Sequence, residues 1–427
     1  NIFPGESGII REGVDHIAKN DMSDELRGNR IIPGSGGGWS WSQLRDINTL
    51  LEYSVNCNDR EVRNEYDALA RFFRAYFYFE KVKRFGDVPW YDKQLASDDP
   101  ELKKSQDSRE FIMAKVIEDL DFAIQYLPTK KDVYRVTRWT ALALKSRATL
   151  FEGTFRKYHN LTVDGVGHEY YLTESVKASE AFISQSGYGL YLDNPSTAYR
   201  DLFASLEARS EEIILARNYD KSFGQSHNAN FYSLGVTYGR PGLTKRMVNS
   251  YLMADGSRFT DKEGYETYSF LDETKNRDPR MAQTIRTPGY KRLDGDAILA
   301  PDLLVTSTGY QPIKYVMGTK YDGPNAESEI DLPLFRTAEV YLNLAEAKAE
   351  LGTLNQQDLD NTIGKLRARV GMPKLDMSDA NANPDPYLES PKTGYPHVTG
   401  ANKGVILEIR RERAIELIME GFRYDDM

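Results

Sequence analysis

Residues 71–79 read RFFRAYFYF, six aromatic rings in nine positions. In the wider segment Tyr66–Arg84, Leu69, Phe72, Phe73, Tyr76, Phe79 and Lys83 fall at i, i+3, i+4, i+7, i+10 and i+14, the spacing of one helix face. Ala68, Ala70 and Ala75 fill much of what remains, so the middle of the segment is apolar almost all round. Such a helix is normally surrounded by other helices. The stripe therefore predicts the inside of a helical scaffold, not a surface that grips a ligand. Gly86 and Pro89, in FGDVPW, supply the stop: one residue turns left-handed at no steric cost, and the other cannot continue a helix.

Working outward, comparable segments recur. Asp107 with Glu110 predicts a capping box ahead of FIMAKVIEDLDFAIQYL (111–127), closed by Pro128. Thr137 is expected to cap RWTALALKSRATLF (138–151), with Gly153 as its end, and Thr173 to open ESVKASEAFISQ (174–185) before Gly187. Further on come LFRTAEVYLNLAEAKAEL (334–351) before Gly352, QDLDNTIGKLRARV (357–370) before Gly371, and VILEIRRERAIELIME (405–420) before Gly421. Alanines beside large residues let paired helices approach closely. A fixed period of about 34 residues cannot be read, so tetratricopeptide-like pairs would be degenerate. Between Gly187 and Leu332, Gly, Pro, Asn, Asp and Tyr dominate and helical periodicity fades, which predicts loops, short helices and a few short strands.

Composition narrows the function. The chain has 427 residues, 40 % hydrophobic and 28 % charged, with 27 tyrosines and a net charge of -9. That balance makes a nucleic-acid backbone a poor partner, since affinity there comes largely from cationic side chains on phosphates. Cys57 is the single cysteine, and the five histidines show no HxxxH or HxH spacing, so no metal or cofactor is expected. Asp92, Asp98 and Asp99 lack the pattern of a calcium loop. The chain starts at Asn1 and stops at Met427 inside a helical pattern, which reads as trimming at both ends.

Two loops hold candidate ligand residues. In GSGGGWSWSQLRDIN (34–48), Gly34, Gly36, Gly37 and Gly38 precede Trp39 and Trp41 ahead of a helix expected from Ser42. On a helical path residues two apart point to nearly opposite sides, so one indole should be exposed and one should anchor. An exposed indole suits a sugar, because the C–H face of a pyranose stacks on the ring while nearby polar groups take the hydroxyls. The plain alternative is a tryptophan that plugs its own loop. In SHNANFYSLGVTYGRPG (226–242), Asn228, Asn230, Phe231, Tyr232, Tyr238 and Arg240 combine aromatic plates with amide and guanidinium groups. Loop packing is the alternative here as well. Tyr265 and Tyr268 are lesser candidates of the same kind, and Trp90 and Trp139 read as structural. Glu412, Glu416 and Glu420 share one helix face, and a carboxylate pair is what a glycosidase needs. Arg410, Arg411, Arg413 and Arg423 stand nearby to neutralise them, so a salt-bridged helix is the expectation.

Taken in order, RFFRAYFYFEKVKRFGDVPW, IEDLDFAIQYLP, TALALKSRATLFEG, RDPRMAQTIRTPG, LPLFRTAEVYLNLAEAKAELG, IGKLRARVGMP and ILEIRRERAIELIMEGFRYDD resemble the blocks of SusD/RagB-like proteins, glycan-binding lipoproteins of Bacteroidetes outer membranes. The resemblance covers nearly the whole chain. It implies a mostly α SusD-like fold, with tetratricopeptide-like pairs from both chain ends and an inserted loop-rich region. One domain over 1–427 would comprise an N-terminal helical scaffold (1–187), a ligand-facing region (188–331) and a C-terminal scaffold (332–427). It further implies a non-enzymatic surface lipoprotein, anchored through a lipidated cysteine upstream, that passes oligosaccharide or polysaccharide to a SusC-like TonB-dependent transporter. RagB-like peptide capture on the same fold is the first alternative, and a helical glycoside hydrolase the second. The family pattern aligns Trp41 with Leu44 and Ile47 as a packing residue, leaving Trp39 as the one facing ligand. It also places the loops ahead of GLTKRMVNSYLMADG (242–256) around the glycan site.

Overall fold

The computed structural model describes residues 3–4, 13–20, 22–24, 26–29, 31, 36–325 and 327–427. The chain divides into two compact units, Asn1–Phe3 with Ile31–Gly187, and Pro4–Arg30 with Tyr188–Met427.

The first unit is built on five helices: α1 (Ser42–Tyr53), α2 (Arg60–Phe85), α3 (Arg109–Tyr126), α4 (Arg138–Tyr158) and α5 (His168–Gln185). Asp59 starts α2 by accepting hydrogen bonds from the N–H groups of Glu61 and Val62 at 3.0 and 3.2 Å. Gly86 ends it at φ 73°, its N–H bonded to Val82 O. Phe72, Tyr76, Phe77, Tyr78 and Phe79 are all buried, so the aromatic stripe is core. The most extensive pairings are α2 with α3 and α4 with α5.

Several buried charges inside this unit are paired. Arg74 of α2 reaches Asp119 of α3 through two bonds of 2.7 Å, and Glu152 of α4 binds Arg109 of α3 at 2.8 Å and Arg156 at 2.7 Å. Trp90 and Trp139 are buried; Trp90 stacks on Tyr78 at 4.4 Å and Trp139 donates to Thr129 O at 2.7 Å. Three helix boundaries differ from expectation. Ser108, not Asp107, caps α3, because the Asp107 carboxylate is engaged by the Trp90 N–H at 2.7 Å. Gly153 does not end α4. A Cβ there would lie 2.7 Å from Leu172, so this glycine lets α5 approach. α5 itself starts at His168, ahead of Thr173.

The second unit is less regular. β1 (Ile17–Ala18), α6 (Ala198–Phe203), β2 (Ile213–Arg217), β3 (Gly242–Leu243), α7 (Lys245–Ser250), α8 (Pro279–Thr284), β4 (Leu332–Arg336), α9 (Thr337–Leu351), α10 (Gln356–Asn361), α11 (Ile363–Arg369) and α12 (Lys403–Glu416) are its main elements. β2 pairs antiparallel with β4, Ile213 opposite Arg336 and Arg217 opposite Leu332, and β1 pairs antiparallel with β3. The segment LFR thus belongs to β4, not to the start of α9 as the apolar pattern suggested. The single helix expected over 357–370 is broken at Thr362, where ψ is -88°. α9 ends on Gly352 at φ 74° and packs on α12.

A buried charge network joins the strands to α12. Glu416 accepts from Arg369 at 2.6 Å, from Arg336 at 2.7 Å and from Arg280 at 3.3 Å. Glu412 accepts from Arg367 at 2.6 Å and Arg280 at 2.9 Å, and Glu420 from Arg336 at 2.7 Å and Lys314 at 2.6 Å. The helix is salt-bridged as expected, but by partners other than those expected. Arg410, Arg411, Arg413 and Arg423 serve Glu350, Glu408, Asp426 and Asp15 instead. Among the described residues, no helix is long and apolar enough to cross a membrane.

Candidate functional site

Trp39 lies in the first unit, at the end of a glycine turn. Gly36, Gly37 and Gly38 all adopt positive φ (75°, 62° and 88°), and the Trp39 N–H closes the turn on Gly36 O at 2.9 Å. Only glycine takes three such angles in succession without strain. Gly34 lies outside the described residues. At Gly38 the space of a side chain is already filled, since a Cβ would stand 3.0 Å from Arg84 Nε. Lys81 Nζ donates to Gly38 O, fixing the turn on the last part of α2.

The turn delivers Trp39 onto two rings, both edge-on: Trp41 at 5.1 Å and 76°, and Phe85 at 4.9 Å and 89°. Trp41 precedes α1 and is half-buried against Phe77 at 5.6 Å and Tyr91 at 5.5 Å. Leu44 and Ile47, on the turns that follow, are buried. Trp39 itself keeps 42 % of its surface open. One indole is thus exposed and its neighbour anchors it, an apolar plate whose orientation is fixed by rings on two sides.

The 226–242 loop, in the second unit, is arranged differently. Asn230 is fully buried, donating to Asp322 Oδ1 at 2.7 Å and accepting from the Met317 N–H at 2.5 Å. Tyr232 is buried too. Phe231 is half-buried and packs edge-on against Tyr238 at 5.2 Å, covering Gly235. Arg240, at φ 53°, turns its guanidinium onto Leu303 O, and its own carbonyl accepts from the Ser307 N–H at 3.0 Å. Of the six residues expected to line a ligand surface, Asn230 and Tyr232 therefore need correcting, since the interior consumes them. Phe231, Tyr238 and Arg240 keep partial exposure, but the two rings pack on each other and Arg240 is engaged by residues 303–307. Beside them lie aliphatic side chains that composition did not single out, Val236, Leu303 and Leu304, the last two 67 % and 71 % exposed. Tyr265 and Tyr268 pack edge-on against buried Phe259.

Sequence reasoning missed Lys81, Arg84, Phe85 and Tyr91 as companions of Trp39. The available signal was FGDVPWY, read only as a helix stop: the chain turns there and brings Tyr91 back to Trp41.

Glu412, Glu416 and Glu420 are buried or nearly so. Burial raises the Glu416 carboxyl, but Arg369, Arg336 and Arg280 outweigh it and hold the group far below the usual carboxylate range. A carboxylate so held cannot protonate a leaving group near neutral pH.

Residues 211–427, just over half of the chain, match the model of the SusD family. The chain belongs to the SusD family. Residues 40–150, which include Trp39's neighbours Trp41, Phe85 and Tyr91, match a second model of that name series, described as starch-binding and associating with the outer membrane. No curated protein matches this SusD-family chain. Among solved structures it is similar to a SusD-like protein of Bacteroides fragilis NCTC 9343 (24 % identity, 90 % of this chain and 72 % of that one, TM-score 0.67). A SusD-like carbohydrate-binding protein of the same strain matches at 21 % identity over 90 % of this chain and 71 % of that one, with a TM-score of 0.68. A SusD superfamily protein of Parabacteroides distasonis ATCC 8503 matches at 20 % identity over 99 % and 81 %, with a TM-score of 0.65. At these identities the likeness establishes the fold: mostly helical, SusD-like.

Proposed function

We propose that this SusD-family chain is a carbohydrate-binding protein of the outer membrane, without chemistry of its own, and that Trp39 is its sugar platform. The observation that carries this is the exposed indole of Trp39 held edge-on by Trp41 and Phe85. A rigid apolar plate stacks on the C–H face of a pyranose with little ordering cost at the moment of binding. The family descriptions support the ligand class and the location. Burial of the glutamate cluster among arginines supports the absence of catalysis. Captured glycan would then pass to a SusC-like TonB-dependent transporter, with the chain anchored through a lipid on a cysteine upstream of Asn1.

A single shallow platform recovers only a few kcal/mol once hydroxyl desolvation is offset, so Kd for a short oligosaccharide should be about 10 µM to 1 mM. The test is tryptophan-fluorescence titration of wild type and Trp39→Ala with soluble plant, microbial and host glycans, and with peptides as a second set. Saturable quenching by a glycan class, lost in the variant, is the expected result. Binding that survives Trp39→Ala moves the site elsewhere, and binding of peptides with silence towards every glycan overturns the sugar assignment in favour of RagB-like capture.

A further inference from the structure

The edge of the Trp39 platform is positively charged in a chain whose net charge is -9. Arg84 is exposed, lies against the backbone of Gly38, and sits over the Phe85 ring at 5.8 Å, the same ring that props Trp39. Lys81 is buried among Trp41, Phe77 and Phe85, with Nζ 5.7, 4.9 and 5.7 Å from the three ring centroids. Among the described residues neither cation forms an ion pair with a carboxylate. The nearest acid on the helix, Glu80, is taken by Lys83 at 2.9 Å. Burial, and then the charge of Arg84, pull the Lys81 ammonium below its ordinary value, with Glu80 opposing only in part. Two like charges are thus held together beside an open aromatic plate.

The end of a helix accounts for some of this. Cations in the last turn of α2 face the negative end of its dipole, which favours them there. That explanation suits Lys83 and Arg84 equally. It gives no reason for Lys81 to be buried against the platform's own rings.

We infer that the Trp39 platform takes an anionic sugar, a pyranose bearing a carboxylate or a sulfate, with Arg84 bonding the anion while Trp39 stacks on the ring. The guanidinium offers a planar fork that matches either group. Lys81, fixed on Gly38 O, adds to the field at the same edge. This deepens the sugar assignment above and depends on it.

The test compares ligands that differ in charge alone. Trimers of galacturonic, glucuronic and mannuronic acid are titrated beside their methyl esters, and a sulfated galactan trimer beside its desulfated form, against wild type, Arg84→Gln and Lys83→Gln. The acid form of at least one pair should bind wild type about five- to tenfold more tightly than its neutral twin, the size of a charge-assisted hydrogen bond at a wet site. Arg84→Gln should erase that difference, bringing the acid and its neutral twin to equal affinity, and added salt should weaken only the acid. Whether the uronate or the sulfate pair shows the effect assigns the anion. Lys83→Gln removes a charge from the same helix end and should preserve the preference. Equal affinity within every pair, or a preference that survives Arg84→Gln, overturns the inference. If neutral glycans bind in a Trp39-dependent way with no effect of charge, the sugar assignment stands and the anionic one falls. If no saccharide binds, both fall. Thermal melts of each variant separate these outcomes from misfolding.

Discussion

The two loops that composition marked as ligand-facing end up doing opposite things. Both are rich in glycine and aromatic residues. In the Trp39 loop the three positive-φ glycines leave the backbone without side chains to cover the ring, and the rings of Trp41 and Phe85 support it from below. In the 226–242 loop the amide of Asn230 has found an acid and a backbone N–H inside the protein, and Tyr232 has followed it inward. An amide that hydrogen-bonds well to a sugar hydroxyl bonds equally well to its own chain. The partner that settles which of these happens, Asp322, lies 92 residues away in sequence.

This contrast yields experiments that can break it, beginning with the unit that contains the 226–242 loop. Arg336→Met removes the guanidinium shared by Glu212, Glu416 and Glu420 and strands buried carboxylates. It should cost about 3–5 kcal/mol in urea denaturation; a loss below about 1 kcal/mol would show that the network contributes little to the unit. Acid should act on the same network. Despite burial, Glu412 and Glu416 are held below the ordinary glutamate value by their arginines, and Asp15, outside that network, is held at about 2 by Arg423, His16 and Arg246. Carboxylates whose folded pKa is depressed contribute stability that is complete above the unfolded value and is lost as pH falls through the folded one. The midpoint of denaturation should therefore drop between about pH 4.5 and pH 2, and a flat profile there would contradict the assignment.

A smaller effect is expected at Asn230. Asn230→Ala leaves the Met317 N–H without its acceptor and Asp322 without one donor, a cost of about 1–3 kcal/mol. Sugar affinity should be unchanged. Trp39→Ala should cost about 1–2 kcal/mol of stability, for the part of the ring packed on Trp41 and Phe85, and leave the fold intact.

Much of the fold was legible because its signals are local. The period of residues 66–84 and the stop at Gly86 locate most of α2, and the Gly352 stop does the same for α9. Errors arose where one residue type serves two purposes. Gly153 could end a helix or admit a neighbour, and only Leu172 decides. Asp107 and Ser108 can each cap, and the Trp90 N–H claims the first. LPLFR is apolar whether it forms a strand or begins a helix, and its pairing with 213–217 is not visible along the chain. The candidate site was half legible. Two tryptophans two residues apart were expected to differ in exposure, and the register of the family pattern chose between them. The cations at its edge were invisible, since Lys81 and Arg84 reach the turn only after α2 has folded beside it.

The most direct measurement is calorimetric titration of one bound glycan into wild type, Trp39→Ala and Asn230→Ala, each paired with a thermal melt. Loss of binding with a cooperative melt retained in Trp39→Ala, and retained binding with a lowered Tm in Asn230→Ala, is the predicted result. The reverse pattern, with sugar affinity abolished at Asn230 and untouched at Trp39, would contradict the assignment of the platform.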